Sequence, residues 1–241
     1  INSVHMTDSE LELATKRKLS STGVAPWAYW ETELYSIGRC LRDLTGYSRL
    51  LPIFASGDHG ADRQSRCWPN EIRQLIPMYF SWYDAKVSRL KKEYGINAIH
   101  VRHPWVDWRR KYAPDTVGSG TVYFVPHSND STKPIITVED IGTHVKSLPV
   151  EMLPVTLCIH PYDIKAGIHL NLRSLGMPLT TAGDSSNVNF VKNFYDILMS
   201  HKNVVSPNIG AHTFFALEAG KFFYSFKPIE YEGTGLGYVG T

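Results

Sequence analysis

The sequence predicts an α/β fold of two Rossmann-like halves, each with a parallel sheet. Short β-branched runs alternate with helix-like segments, which is typical of βαβ units. Histidine, glycine and small hydroxyl residues repeat directly after the predicted strands, where doubly wound sheets bind ligands. The 241 residues suffice for one large α/β domain or two small ones, and glycines at 118 and 120 mark a break. We therefore expect an N-terminal half over residues 6–118 and a C-terminal half over residues 119–241.

The elements of the first half follow from apolar spacing. Residues 11–19 are predicted as a charged helical lead-in, and residues 26–44 as a helix ended by Gly46. An apolar run at 48–56 predicts a buried strand, which leads into a glycine-bracketed GDHG turn at 57–60. Residues 70–94 are predicted as one long helix kinked by Pro77. A strand is predicted at residues 98–101, and it is the last element of this half.

The second half alternates strands and helices more regularly. Strands are predicted at residues 121–125, 154–159, 178–182, 204–205 and 222–226. Helices are predicted between them at residues 137–148, 165–175, 187–200 and 210–220. This order is that of a doubly wound parallel sheet.

Composition excludes several classes of protein. The apolar share of 43% and the charged share of 20% are ordinary for a globular chain. A net charge of +2 is too mild to indicate a nucleic-acid partner. No apolar run is long enough to span a membrane, and Cys40, Cys67 and Cys158 are odd in number and far apart. We expect a cytoplasmic protein, for which peripheral membrane association stays open.

Side chains that can bind an anion or move a proton recur after the predicted strands. Any single histidine there is more often a capping or surface residue, but four strand ends repeat the same chemistry. The residues are Asp58, His59, His103, His127, Ser128, His160, residues 184–186 and residues 206–213. The helix predicted to start near Gly210 matters most, because free N–H groups and the helix dipole at such a terminus suit a phosphate. No HExxH, paired CxxC, GxSxG or Walker sequence occurs, so neither a metal centre nor a serine nucleophile is predicted.

These segments resemble the GT-B glycosyltransferases, and most closely the bacterial proteins of capsular and lipopolysaccharide polysaccharide biosynthesis. The run IGAHTFFALEAGK at residues 209–221 looks like their donor-binding helix, whose amides hold the nucleotide phosphate. His160-Pro161 is similar to the His-Pro motif of bacterial sialyltransferases and related Kdo transferases, whose histidine contacts the phosphate of a CMP-sugar. The GDHG turn lies where many GT-B enzymes keep the base on the acceptor side. The resemblance covers most of residues 48–226.

The resemblance implies a trimmed GT-B architecture, with two parallel sheets facing a cleft. It implies a metal-independent glycosyltransferase of surface polysaccharide synthesis, which moves a sugar from a CMP- or UDP-type donor to a saccharide acceptor and needs no cofactor. Asp58 or His59 would be the catalytic base, and Arg102 and His103 would lie on the acceptor side. The residues implied for donor binding are Ser128, His160, Ser206, Gly210, Ala211, His212 and Thr213.

Two other functions stay open. A nucleotide-sugar 2-epimerase-like enzyme shares the two-halved architecture, although that family normally has several acidic residues in its cleft. A non-catalytic saccharide- or nucleotide-binding subunit would keep the fold without the chemistry. Phe214 and Phe215 favour the binding subunit, because many nucleotide-sugar enzymes of this fold have a ribose-binding glutamate there. A partner subunit is compatible with each of these functions.

Overall fold

The computed structural model describes residues 5–16, 34–58, 67, 72, 77–113, 116–129 and 131–233. These residues form two compact units. The N-terminal unit takes its described residues from within 17–114 and 185–191, and the C-terminal unit from within 1–16, 115–184 and 192–241. Each unit has its own parallel sheet. The predicted α/β fold with Rossmann-like parallel sheets is thereby confirmed.

The helices and strands of the described residues are numbered in chain order. The α-helices are α1 (Asp8–Ala14), α2 (Ile37–Thr45), α3 (Asp84–Tyr94), α4 (Pro104–Tyr112), α5 (Val138–Lys146), α6 (Pro161–Lys165), α7 (Ile168–Leu172), α8 (Phe190–Ser200) and α9 (Ala211–Glu218). The strands are β1 (Ser56–Gly57), β2 (Tyr79–Ser81), β3 (Ala98–His100), β4 (Thr121–Phe124), β5 (Thr132–Pro134), β6 (Val155–Cys158), β7 (Leu179–Thr180), β8 (Asn203–Ser206), β9 (Phe222–Ser225) and β10 (Tyr231–Gly233).

The sheet of the N-terminal unit has the order β1-β2-β3, and all its pairs are parallel. Its buried core includes Tyr79, Leu90 and Ala98. The prediction of one helix over residues 70–94 is wrong, because β2 lies within that range and α3 begins only at Asp84. Pro77 separates two apolar runs whose spacing matches a single helix, and the aromatic run after it favours a strand.

The strand predicted at residues 48–56 is also wrong over most of its length. Only its last residue pairs with β2, as part of β1. Leu50 is 82% exposed, and the N–H of Leu51 donates to the Ser48 carbonyl in a tight turn. The large side chains of Leu50, Leu51 and Phe54 are therefore exposed, and of the apolar residues in this run only Ala55 is buried.

The helix predicted over residues 26–44 is confirmed only from Ile37, as α2, which ends at Gly46 with a left-handed backbone (φ 72°). Residues 34–36 form a 3-10 turn in which Tyr35 and Ser36 have positive φ, and residues 26–33 lie outside the described residues.

The sheet of the C-terminal unit has the order β7-β6-β4-β8-β9, with every pair parallel. The chain starts at the centre in β4, builds outward through β6 and β7, and then returns to the other side of β4 with β8 and β9. This is the doubly wound order, and its topological switch point lies between β4 and β8. All five predicted strands of this half are confirmed, and β4, β6 and β8 are largely buried because helices cover a parallel sheet on both faces.

The first helix of the chain belongs to the C-terminal unit. Leu11 of α1 is fully buried in the core of that unit. The N–H of Met6 donates to the carbonyl of Leu179 on the edge strand β7, and Asp8 pairs with Arg173 at 2.8 Å. The described N-terminal residues thus cover one edge of the five-stranded sheet. The predicted lead-in over residues 11–19 begins earlier than expected, since α1 runs from Asp8 to Ala14, and residues 17–19 lie outside the described residues.

One helix of the second half is divided. The range 165–175 was predicted as a single helix, but the structure forms α6, α7 and a 3-10 turn in this region. Gly167 has a left-handed backbone (φ 78°) that interrupts the helical path. The predicted end at Gly176 is confirmed, with φ 69°.

Candidate functional site

The carboxyl ends of β4 and β8 flank the switch point, and predicted site residues follow both strands. His127 and Ser128 come after β4, and a turn at residues 207–210 leads from β8 into α9. His160 follows β6, which pairs with β4 on the side away from β8. Ligands of doubly wound sheets bind outside this edge. The crevice between the ends of β4 and β8 is hereafter the switch-point site.

Helix α9 begins at the switch-point site with free amides. Its N-cap residue is Gly210, which has no side chain to accept from the helix. The hydroxyl of Thr213 accepts the Gly210 N–H at 3.2 Å, and the Thr213 N–H donates to the Gly210 carbonyl at 2.9 Å. Among the described residues, the N–H groups of Ala211 and His212 have no hydrogen-bond partner. These two amides, at the positive end of the helix dipole, can bind an anion.

Two histidine rings stack beside the carboxyl end of β4. The His127 and His160 rings are 4.0 Å apart between centroids and 18° from parallel. His160 is also the N-cap of α6, where its Nδ1 accepts the Tyr162 N–H at 3.2 Å. The pKa of His160 is lowered to about 3, mainly by burial and in addition by the neighbouring His127. His160 is therefore neutral at pH 7.

His212 places a third ring at the switch-point site. The ring stacks on Phe124 of β4 at 4.9 Å, and its Nε2 is buried without a hydrogen-bond partner in the described part of the chain. Burial lowers its pKa to about 4; His127 acts in the same direction, and a hydrogen bond with the main chain of Asn208 opposes both. A side chain at Gly210 would lie 3.1 Å from this ring, so the glycine lets the ring fold back over the turn.

Asp163 holds the loop after β4, although the sequence did not single it out. The Ser128 N–H donates to the Asp163 carboxylate at 3.2 Å, and burial raises the pKa of this carboxyl. The main-chain N–H of Ser128 thereby holds the loop after β4 against Asp163. A signal was available, because an acidic residue three positions after an N-cap lies in the first turn of the helix and points back toward the preceding loop.

Asn208 lies within the predicted range 206–213 without a role assigned to it, and it ties the turn after β8 to an antiparallel ribbon of β5 and β10. Its Nδ2 donates to the Tyr231 hydroxyl at 2.9 Å, and its Oδ1 accepts the Ile229 N–H at 3.3 Å. Strand β5 continues from the loop that carries Ser128, and it pairs with β10. The ribbon thus connects the two sides of the switch-point site. Ser206 is 2% exposed and supports the same turn by accepting the Asn208 N–H at 3.4 Å.

In the N-terminal unit, the predicted base Asp58 lies in a closed cluster. Its side chain is 3% exposed, and Lys86 pairs with it at 2.5 Å. The Tyr79 hydroxyl, the Ser81 hydroxyl and the Trp82 N–H also donate to this carboxylate at 2.8–3.0 Å. A general base needs a lone pair that reaches the substrate, so this geometry is that of a structural ion pair. His59 lies outside the described residues, and the role of either residue as base stays a prediction.

The residues predicted on the acceptor side follow β3. Arg102 is exposed and pairs with Asp107 at 2.8 Å. His103 is the N-cap of α4, its Nδ1 accepts the Trp105 N–H at 3.2 Å, and its ring lies 4.6 Å from that of Trp82. Burial lowers its pKa to about 3. The sequence shows this parallel with His160, since both histidines precede a proline and an aromatic residue.

The structure therefore places Gly210, Ala211, His212 and Thr213 at the switch-point site. His160 lies at the same carboxyl edge of the sheet, where His127 stacks on its ring and also acts on the pKa of His212. Ser128 and Ser206 lie behind them as supports. Among the residues that the structure describes, no group of three histidine, cysteine or acidic side chains could hold a metal ion. The described helices are also too short or too polar to cross a bilayer.

No protein-family model matches this chain, and no curated protein matches it. The resemblance to glycosyltransferases is thus a hypothesis that depends on the residues and their geometry.

Proposed function

We propose that this chain is a metal-independent glycosyltransferase whose C-terminal unit binds the nucleotide of an activated sugar at the switch-point site. The observation that carries the proposal is the pair of free amides, Ala211 N–H and His212 N–H, at the start of α9 beside β4. A phosphate there would accept hydrogen bonds at the positive end of a helix. The GT-B arrangement of two facing halves is part of this proposal.

In the proposed reaction, the oxygen of a saccharide hydroxyl forms a bond to the anomeric carbon of the donor. The bond from that carbon to the phosphate oxygen breaks, and its electron pair stays on the departing nucleotide. The amides of α9 and the ring of His160 would stabilise the negative charge that grows on this oxygen. The hydroxyl proton goes to a base in the N-terminal unit, for which Asp58 and His59 are the candidates.

A variant that lacks one of the two free main-chain N–H groups tests the proposal with little change to helix α9. Ala211 is the first residue of α9, where proline is well tolerated, and Gly210 before it has the extended backbone that proline requires (φ −143°, ψ −170°). We expect Ala211→Pro to weaken binding of a nucleotide from the panel CMP, UDP, GDP and dTDP about tenfold, the worth of one hydrogen bond to a charged group. Isothermal titration calorimetry measures this change.

The matched control is Val138→Pro, at the first residue of α5 behind the extended N-cap Thr137. It changes the main chain in the same way and should leave nucleotide affinity unchanged. The proposal fails if wild-type protein binds none of the four nucleotides, or if Ala211→Pro binds them as tightly as wild type.

A non-catalytic nucleotide-binding subunit is the second candidate. The closed ion pair of Asp58 with Lys86 favours it, because it occupies the predicted base. A panel of nucleotide-sugars with saccharide acceptors separates the two functions. Release of free nucleotide together with a new glycoside supports the transferase. Tight binding with neither transfer nor donor hydrolysis supports the binding subunit, and epimerised sugar without an acceptor would indicate a 2-epimerase-like enzyme.

A further inference from the structure

The two ring nitrogens of His160 have different roles. Its Nδ1 faces the main-chain N–H of Tyr162 at 3.2 Å. A peptide N–H always carries its hydrogen, so Nδ1 must supply a lone pair. In a neutral imidazole the single ring hydrogen is then on Nε2. The capping bond of α6 thus selects the tautomer of this side chain.

The surroundings of His160 act against a second ring proton. Protonation would put a hydrogen on Nδ1 and break the capping bond, and the stacked His127 ring is only 4.0 Å away. The charged or titratable groups that act on His160 are His127 from the end of β4, Asp184 after β7 and Lys165 of α6. Asp184 is itself 3.5 Å from Lys165, so its attraction for an imidazolium is shared with an ammonium.

We propose that the neutral His160 ring is a hydrogen-bond donor through Nε2–H at the carboxyl edge of the sheet, fixed in this tautomer because the same side chain caps α6. The inference rests on the proposed function for the identity of the acceptor, a phosphate oxygen. The phosphate is then held by neutral donors, the imidazole N–H and the amides of α9. Acidification to pH 5.5 gives the site no extra cation at His160.

The N-terminal unit contains a second histidine that caps a helix through its Nδ1. His103 caps α4 by accepting the Trp105 N–H at 3.2 Å, and its ring lies against Trp82, from the end of the adjacent strand. The His-Pro-aromatic sequence therefore produces the same cap twice. A histidine at this position has its Nδ1 committed to the helix and its Nε2 directed away from the helix terminus.

The tautomer can be measured without any ligand. Nitrogen-15 spectra of protein labelled in its histidines distinguish neutral Nε2–H, neutral Nδ1–H and charged rings, and the missing signal in His160→Asn assigns the residue. We expect the neutral Nε2–H pattern for His160 throughout pH 7.5 to 5.5. An Nδ1–H pattern, or a charged ring at pH 6.0, would overturn the inference.

Two substitutions separate the cap from the donor. Asparagine is a good N-cap but has no ring N–H, and alanine has neither property. The folding equilibrium constant of His160→Asn should be about fivefold larger than that of His160→Ala, because an N-cap usually stabilises a helix by this amount. Thr137→Asn and Thr137→Ala provide the reference difference at the cap of α5 in the same unit, where Thr137 Oγ1 accepts the Asp140 N–H at 3.1 Å.

Nucleotide binding by the same variants tests the donor. For whichever of CMP, UDP, GDP and dTDP binds wild type, His160→Asn and His160→Ala should each weaken binding about tenfold, since both lack Nε2–H. Wild-type affinity in His160→Asn would overturn the donor role. If wild type binds none of the four, the proposed function fails, while the spectra and the folding comparison still decide whether the cap fixes the tautomer.

Discussion

The side chain of Asp58 follows a strand, and all its contacts stabilise the fold. Its carboxylate meets the Lys86 ammonium and three further donors, and both side chains of the ion pair are 3% exposed. The Lys86 ammonium also lies 5.3 Å from the centre of the Tyr79 ring. Loss of one charge in such a pair is costly, because the other charge stays buried without its counterpart.

We expect Asp58→Asn to lower the free energy of unfolding of the N-terminal unit by about 3–5 kcal/mol. Urea unfolding followed by tryptophan fluorescence measures this, because all six tryptophans of the chain lie between residues 27 and 108. The control is the double variant Asp58→Asn with Lys86→Met, which removes both charges and should recover part of the loss. A change below 1 kcal/mol in the single variant would show that the ion pair is not structural and would return Asp58 to consideration as the base.

Single residues also show what the sequence could predict of the site. His160, Gly210, Ala211, His212 and Thr213 were predictable because they follow strands in a pattern with a known geometric consequence. Asp163 and Asn208 were not singled out, because their partners lie 35 and 21–23 positions away along the chain. The closure of Asp58 was likewise invisible, since it depends on Lys86 of α3, a helix whose start the sequence misplaced.

At the scale of elements, hydrophobic pattern predicted the buried strands and missed the exposed ones. Strands β4, β6 and β8 are runs rich in β-branched and apolar residues in a sheet covered on both faces, which is a strong signal. Strands β5 and β10 are three residues each and have no buried residue, so neither has a hydrophobic pattern to detect. Their pairing is long-range, and it is fixed by Asn208 and by main-chain hydrogen bonds.

The glycines at 118 and 120 show a related difference. They predicted a break between the halves, yet both pack tightly. A side chain at Gly118 would lie 2.5 Å from the main chain of His201, and one at Gly120 would lie 2.4 Å from the Pro154 carbonyl oxygen. These glycines permit a close main-chain approach at the start of β4, so glycine content alone did not distinguish a linker from a packing contact.

The ribbon of β5 and β10 should depend on Asn208. We expect Asn208→Ala to speed amide hydrogen exchange about tenfold at Ile229 and in residues 231–233, because the side chain makes two hydrogen bonds to this segment. Exchange measured by mass spectrometry or NMR checks this expectation. Asn171→Ala, an exposed asparagine on α7, is the control and should not change the ribbon. Unchanged exchange in Asn208→Ala would mean that β10 is held by other contacts.

At the scale of the whole molecule, buried neutral histidines link stability to pH. The pKa of His103 and of His160 is lowered to about 3 and that of His212 to about 4, mainly by burial. In the unfolded chain these groups titrate near 6.5. The unfolded state therefore binds more protons below pH 6.5, so the stability from these groups is complete above that value and falls as pH falls toward 4.

Between pH 7.5 and 5.5 we expect each of these histidines to remove about 1.4 kcal/mol from the free energy of unfolding of its unit. The C-terminal unit contains two of them, and also His144 and His201, whose pKa burial lowers as well, so it should lose more than the N-terminal unit. The raised pKa of Asp163 acts in the opposite direction. Hydrogen exchange of β4 and β8 reports the C-terminal unit, and tryptophan fluorescence the other. His160→Asn should flatten the slope of the C-terminal unit, and a flat profile in wild type would contradict the neutral state of these rings.

The central claim is that a nucleotide phosphate binds at the start of α9. Amide chemical-shift mapping during titration with CMP and UDP tests it most directly. The account predicts saturable shifts that are largest at the N–H groups of Ala211 and His212, with smaller shifts at Ser128. Saturable binding whose largest shifts lie in the N-terminal unit, or no saturable shift with either nucleotide, would contradict it.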